Sequence, residues 1–239
     1  PYGTTPHAHM VALKDAVDRA QFGAQELRVT CPLGTAVEGK STLSLQDSGD
    51  VTVKRFPLGV PAPVPAAGFS GRVVLARGLM PTGSQVYSPA VLTLSAPVVA
   101  EIENGVISAL SGDETSVERV AAHYKHIAAL FGIDPAVVHS FHAGIHPGCA
   151  YPMPADHDLD RWANTAFTSP RALHFHTCGD YAPGEICWMV VSPTVTVDGK
   201  ALWTDGRFDP SAHPETAAVL SNSDHLKKLF ASPPAEIGT

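Results

Sequence analysis

The chain has 239 residues, of which 44% are hydrophobic and 16% are charged. It is long enough to bury a core, and its composition excludes an intrinsically disordered protein. The net charge of -7, without any Lys/Arg cluster, argues against nucleic-acid binding. No apolar run approaches the roughly 20 residues that a membrane helix needs. The first residues lack a signal-peptide pattern, and the lack of an initial Met is consistent with a trimmed or partial chain.

Four helices are predicted along the chain. The spacing of apolar residues indicates a helix over 6–22 and another over Glu114–Phe131, which ends at the C-cap glycine Gly132. Shorter helices are predicted at 158–167 and at Asp224–Ala231.

Strands make up most of the remainder, separated by Pro and Gly. They are predicted at 26–31, 51–56, 72–76, 90–94, 98–107, 137–143, 173–177, Glu185–Val191, Thr194–Val197 and 201–203. The segment 61–68 is too rich in proline for a central strand and is predicted to be a surface loop. Many strands and few helices predict an α+β fold with a mixed, largely antiparallel sheet.

The cysteines are too few for a disulfide scaffold, and none forms a CxxC pair. We expect reduced thiols at Cys31, Cys149, Cys178 and Cys187, in a cytoplasmic protein. Histidine is the unusual residue type here: eight of the 12 histidines fall between His123 and His176. The side chain that most often binds metals is therefore concentrated in one quarter of the chain.

The first histidine motif is FHAGIHPGCAY, residues 141–151. His142 and His146 lie where a predicted strand runs into a Gly/Pro loop, and loops at strand ends commonly carry function. Each histidine could instead be structural, His142 as a hydrogen-bonded core residue and His146 as a loop residue.

The second motif is LHFHTCGD, residues 173–180. If this segment is a strand, His174 and His176 point to the same face, where both imidazoles can reach one metal ion. Asp180 would either orient a histidine through its carboxylate or lie in a turn.

The third motif is the strand that begins at Glu185. Glu185 and Cys187 share one face, and a buried carboxylate needs a partner or a metal. Glu185 is therefore predicted to be paired, metal-bound or exposed at the start of the strand.

Together these motifs resemble the metal-dependent superfamily of the M29 aminopeptidases and the 2,5-dihydroxypyridine 5,6-dioxygenases. The resemblance rests on the segments 141–151, 173–180 and 192–199 and on the hairpin IENGVI at 102–107, and it spans about residues 25–210. It implies the α+β fold of the C-terminal metal-binding domain of M29-like proteins. It also implies three regions: residues 1–24 as a helix left from a larger N-terminal domain, 25–210 as the metal-binding domain, and 211–239 as a tail with one helix.

The resemblance assigns site residues one at a time. His142 occupies the position of a ligand that is histidine in the dioxygenases and glutamate in the peptidases. The family's H-x-D pair falls at Glu185 and Cys187, where Cys187 would be a soft ligand or none. His174 or His176 would supply the missing imidazole. The carboxylates of the peptidase's second metal have no counterpart in this chain.

Three hypotheses follow. The first is a mononuclear Fe(II) enzyme, similar to a ring-cleaving dioxygenase, that acts on a small hydroxylated aromatic or heteroaromatic substrate. Its metal ligands would be His142, His174, His176 and Glu185. Its catalytic residues would be His146 as acid and base, Tyr151 as a hydrogen-bond donor to substrate, and Asp180.

The second hypothesis is a Zn or Mn hydrolase, similar to an aminopeptidase or an amidase. The third is a non-catalytic descendant that acts as a binding or partner subunit. Neither nucleic acid nor a membrane is an expected partner. A homodimer is expected if a neighbouring subunit closes the pocket.

Overall fold

The computed structural model describes residues 7–46, 60–82 and 87–238, and the predicted strand at 51–56 lies outside these ranges. Five helices occur in the described part: α1 (His7–Gly23), α2 (Glu114–Phe131), α3 (Leu159–Ala166), α4 (Pro214–Ser221) and α5 (Asp224–Ala231). Local signals set the helix ends. Asp113 accepts a hydrogen bond from the backbone of Ser116 at the start of α2, and Gly132 closes its end in the left-handed conformation.

Eight strands form the larger sheet. They are β1 (Leu27–Thr30), β2 (Ala36–Gly39), β4 (Phe69–Leu75), β7 (Val98–Glu103), β8 (Val106–Gly112), β12 (Thr194–Val197), β13 (Lys200–Thr204) and β14 (Arg207–Phe208). Their order is β14-β13-β12-β1-β2-β4-β7-β8, and neighbouring strands pair antiparallel.

The smaller sheet has six strands. They are β3 (Val64–Pro65), β5 (Gly78–Met80), β6 (Leu92–Thr93), β9 (Val138–Ala143), β10 (Ala172–Cys178) and β11 (Glu185–Val191). Their order is β3-β9-β10-β11-β5-β6, again antiparallel. The predicted α+β class is confirmed, although two sheets replace the single one that was expected.

The main hydrophobic core lies between the two sheets and the helices. One face of β10 contributes Leu173 and Phe175, which pack with Phe141 of β9 and Trp188 of β11. Leu13 of α1 and Leu226 of α5 belong to the same core. The predicted division at residues 24/25 and 210/211 stays a prediction.

Several predicted elements are corrected. The segment 98–107 is not one strand. It contains the hairpin that the resemblance implied at 102–107, because Asn104 and Gly105 both adopt positive φ and turn the chain between β7 and β8. The tail contains a second helix, α4, which begins at Pro214 and is capped by His213.

The proline-rich segment 61–68 is not a surface loop. Val64 and Ala66 are fully buried, and β3 forms the edge of the six-stranded sheet, where Pro65 needs no partner on its outer side.

Candidate metal centre

The imidazoles of His142, His174 and His176 meet on one face of the six-stranded sheet. His174 and His176 alternate with core residues along β10, and His142 is the direct neighbour of His174 on β9. The ring centroids are 4.1 Å apart for His142 and His174, and 5.0 Å apart for each pair that includes His176. One ring nitrogen from each residue lies within 4.8 Å of the other two. The predicted convergence of both β10 histidines on one face is therefore present.

Hydrogen bonds determine which nitrogen of His142 faces the cluster. Its Nδ1 lies 2.8 Å from the backbone oxygen of Pro61. A carbonyl only accepts hydrogen bonds, so Nδ1 carries the proton and donates it. The Nε2 atom is then left with a lone pair that points towards His176.

The same logic applies to His176. Its Nδ1 contacts Oε1 of Glu185 and also lies 3.2 Å from the backbone oxygen of Asp180, and both of these atoms are acceptors. Its Nε2 lies 3.0 Å from Nε2 of His142. Two lone pairs at this distance repel each other unless a proton or a cation lies between them.

A metal ion fits this arrangement. Two nitrogens bound to one ion at about 2.1 Å, at a right angle, are about 3.0 Å apart, which is the separation found between His142 and His176. His174 adds a second observation, since its Nδ1 is buried without a hydrogen-bond partner among the described residues. The three imidazoles therefore suit a metal such as iron or zinc.

Glu185 lies behind His176 at the start of β11. It is fully buried, with Oε1 on His176 and Oε2 accepting from the backbone N–H, at 3.2 Å, and the hydroxyl of Thr82. Burial alone would raise the pKa of Glu185, but the hydrogen bonds from His176 and Thr82 outweigh it and hold the pKa below its usual range. A carboxylate that receives the Nδ1 proton of a metal-binding histidine fixes that ring's orientation and tautomer.

Cys187 also contacts this carboxylate. Its thiol donates to Oε1 of Glu185 at 3.4 Å, and burial raises the pKa of the thiol well above its usual range. The thiol is therefore protonated near neutral pH when no metal ion is bound. Donor atoms of His176, Glu185 and Cys187 nevertheless lie within 4.8 Å of one another, so these residues form a second group that could hold a metal ion. The four cysteines, all within the described ranges, form no disulfide.

Burial keeps two of the imidazoles neutral. Desolvation is the main cause that lowers the pKa of His142 to about 3, and the nearby His176 lowers it further. Desolvation is also the main cause that lowers the pKa of His174 well below its usual value, and His142 and His176 contribute in the same direction. Neutral imidazole is the form that binds metal ions, so these two rings are ready to bind at neutral pH.

The cluster lies at the floor of a cavity of about 760 Å³. The polar residues of the lining include the three histidines, Glu185, Ser140, Asn164 and Tyr181, and the others include apolar side chains. The wall residues include Leu43, Val60, Pro63, Pro65, Ala67, Ala163 and Phe167. The ring of Phe167 packs against His174 with centroids 4.1 Å apart. The volume suits a small molecule.

Other predicted site residues lie elsewhere. His146 is buried in the loop after β9, where its Nδ1 accepts from the backbone of Gly148 at 3.1 Å, and it is not among the residues that line the cavity. Tyr151 does not line the cavity either, because its hydroxyl is paired with Nδ1 of His157 at 3.0 Å and its ring packs in a second apolar cluster. Asp180 lines the cavity, but its backbone oxygen rather than its carboxylate contacts His176.

Most of the other cavity residues were not predicted from the sequence, and three of them lie next to the cluster or its strands. Thr82 holds Glu185, His139 donates from Nε2 to the backbone oxygen of Cys178 at 2.9 Å, and Ser140 neighbours His176 across the strand pair. Ser140 was detectable in principle, because it lies two residues before His142 in a predicted strand and must share its face.

No protein-family model and no curated protein matches this sequence. Among solved structures, the chain is similar to 2,5-dihydroxypyridine dioxygenase from Pseudomonas putida KT2440, with a TM-score of 0.56 and 15% identity. The alignment covers 87% of this chain and 61% of the dioxygenase chain. The two chains share a fold. AmpT from Thermus thermophilus also matches, with a TM-score of 0.42, 14% identity, and coverage of 86% of this chain and 56% of AmpT.

The predicted resemblance is thus confirmed at the level of the fold. Within residues 7–46, 60–82 and 87–238, no helix combines the length and the apolar character that crossing a bilayer requires.

Proposed function

We propose that this protein is a mononuclear metal-dependent enzyme. The metal would be held by His142, His174 and His176, with Glu185 fixing His176 from behind. One observation carries the proposal: three buried imidazoles, two of them in the neutral form and one with an unpartnered nitrogen, converge at the floor of a cavity sized for a small molecule.

The reaction that we favour is oxidation of a small hydroxylated aromatic or heteroaromatic compound, similar to ring cleavage by a dioxygenase. Bound Fe(II) would supply the site at which O2 and the ring oxygens of the substrate come together. The fold shared with a dioxygenase supports this choice. Imidazole ligands would add no negative charge, so the charge of the ion would be balanced by the Glu185 carboxylate behind His176 and by the substrate, which favours a substrate that chelates through anionic oxygens.

The chain's own residues would orient both metal and substrate. Glu185, which accepts from the Thr82 hydroxyl, also accepts the Nδ1 proton of His176, and the Pro61 carbonyl accepts that of His142. The lone pairs of both rings thus stay directed inward. The walls formed by Pro63, Pro65 and Phe167 would exclude water from a bound ring.

A Zn or Mn hydrolase is the second candidate. It is favoured by the same donor set, because three histidines with one open position form a common catalytic zinc site. The non-catalytic alternative would be supported if no metal binds. A cytoplasmic location and a homodimer stay predictions, and light scattering of the purified protein tests the dimer.

Metal analysis of protein purified anaerobically, without added metal, tests the proposal. We expect about one metal ion per chain, and we expect His142→Ala to lose it. His126→Ala is the first control because this histidine is exposed on α2. His139→Gln is the second, because His139 lines the same cavity outside the cluster. Normal metal content in His142→Ala would refute the ligand assignment.

Oxygen uptake then separates the two chemistries. Consumption of O2 with catechols or hydroxypyridines supports the dioxygenase-like reaction. Zinc content with hydrolysis of amide or peptide substrates, and no O2 uptake, would support the hydrolase instead.

A further inference from the structure

Ser140 occupies a special position beside the candidate metal centre. It shares a strand face with His142 and is the direct cross-strand neighbour of His176. It lines the cavity, yet it is only 6% exposed. Its hydroxyl has no hydrogen-bond partner among the described residues.

Several other polar groups that line the cavity are already paired within the protein, whereas Nδ1 of His174 is not. Nδ1 of His142 donates to Pro61, the hydroxyl of Thr82 donates to Glu185, and the hydroxyl of Thr168 lies 2.7 Å from the backbone oxygen of Thr165. An unpaired buried hydroxyl costs free energy, because it has lost its water without gaining a partner. A ligand in the cavity would supply that missing partner.

The cavity around Ser140 restricts the shape of such a ligand. Pro63, Pro65 and Phe167 are flat or rigid side chains on its walls, and Phe167 packs against the imidazole of His174. These side chains suit a planar ring, and the three histidines and Ser140 supply polar groups for its oxygens.

We infer that the Ser140 hydroxyl binds one oxygen of a planar ring substrate whose adjacent oxygen binds the metal. This inference rests on the proposed function and narrows it to rings that carry two neighbouring oxygens. Ser140 then acts as a substrate-binding residue that sets the orientation of the ring and discriminates against rings with a single oxygen.

The test uses 4-nitrocatechol, which has two adjacent oxygens, and 4-nitrophenol, which has one. Each is titrated anaerobically into protein that carries the metal with which it was purified, and binding is followed by absorbance. We expect Ser140→Ala to weaken 4-nitrocatechol binding roughly tenfold and to leave 4-nitrophenol binding and the metal content unchanged. Ser140→Thr, which keeps the hydroxyl, should restore most of the affinity.

Ser223→Ala is the matched control. Ser223 is buried to a similar degree, 4% exposed, but its hydroxyl caps α5 by accepting from the backbone of Leu226 and also contacts His9. Its substitution should lower the melting temperature without changing 4-nitrocatechol affinity. Ser140→Ala should lower the affinity for 4-nitrocatechol and leave the melting temperature unchanged, because the hydroxyl that it removes has no partner within the protein.

Three outcomes would overturn the inference: equal 4-nitrocatechol affinity in wild type and Ser140→Ala, no binding of 4-nitrocatechol to metal-loaded wild type, or a clear loss of thermal stability in Ser140→Ala. The first two leave the metal proposal intact, since metal content is measured on the same samples. Absence of metal from the wild type would instead reject the proposed function itself.

Discussion

Replacing Glu185 with Gln isolates the contribution of a carboxylate that contacts His176. Both carboxylate oxygens are occupied by donors, Nδ1 of His176 on one side and the backbone N–H and hydroxyl of Thr82 on the other. A glutamine has one oxygen and one NH2 group, so only one of these two sides can keep an acceptor.

Either orientation of the amide damages the site. If the NH2 group faces Thr82, two N–H donors oppose each other in a fully buried position. If it faces His176, it donates to Nδ1, which moves the ring proton to Nε2 and removes the lone pair directed at the metal. Loss of such an outer partner lowers metal affinity by about 10- to 100-fold, which is about 1.4 to 2.7 kcal/mol.

Competition with a chromophoric chelator measures this affinity for Zn(II) and, anaerobically, for Fe(II). Glu236→Gln is the matched control, because the Glu236 side chain is 77% exposed and contacts only the guanidinium of Arg171 among the ion pairs described, at 3.2 Å. This control should bind metal like the wild type.

Two results would contradict the role assigned to Glu185. Affinity within twofold of the wild type would show that the carboxylate does not support His176. Loss of metal as complete as in His142→Ala would instead identify Glu185 as a direct ligand, in agreement with the sequence-based ligand set.

Two further predictions concern stability. Burial is the larger cause, and the charge of His126 the smaller one, that lowers the pKa of His123 to about 4. Between about pH 6.5 and pH 4, the unfolded chain therefore binds a proton at this residue that the folded chain does not. The free energy of unfolding should fall as the pH falls through this range. The wild type should lose about 2 kcal/mol of its free energy of unfolding at this residue between pH 7 and pH 5, as measured by urea unfolding. His123→Phe keeps a ring against Tyr87 and should not show this loss. An unchanged pH dependence in the variant would exclude His123 as its source. In Gly144→Ala, the added methyl would overlap the backbone of Thr168 and Ser169, so we expect a loss of about 1–3 kcal/mol in thermal unfolding. Gly23→Ala, where nothing lies within 4 Å, should be neutral or stabilising, and equal melting temperatures for both variants would refute the close-packing argument.

Local patterns predicted the parts of this fold that depend on near neighbours. Helix α2 follows from its apolar spacing and from Gly132, whose left-handed conformation ends it. The shared face of His174 and His176 follows from the two-residue period of a strand. Both features are determined within a few residues of chain.

The partner of Glu185 could not be predicted in this way. It depends on the pairing of β10 with β11, which sets Cys178 opposite Glu185 and His176 opposite Cys187. That pairing places the imidazoles of His174 and His176 on the strand beside Glu185 and Cys187, and the H-x-D equivalent at residues 185 and 187 stays a prediction.

The positions of His146 and Tyr151 also depend on tertiary structure. None of residues 144–151 lines the cavity. The backbone oxygen of Gly144 accepts from Trp203, and the backbone of Thr168 leaves no room for a side chain at this glycine. Nothing in the Gly/Pro composition of this loop determines its direction, and the catalytic roles assigned to His146 and Tyr151 from the sequence stay predictions.

The location of the histidines on paired strands links the metal centre to the accuracy of folding. A slip of β10 by one residue against β9 would exchange its two faces, burying two imidazoles among Phe141 and Trp188 and moving Phe175 into the cavity. A mispaired chain would thus have neither an intact apolar interior nor three converging nitrogens. Any ion that binds the correctly aligned strands selectively would stabilise that alignment over its shifted competitor.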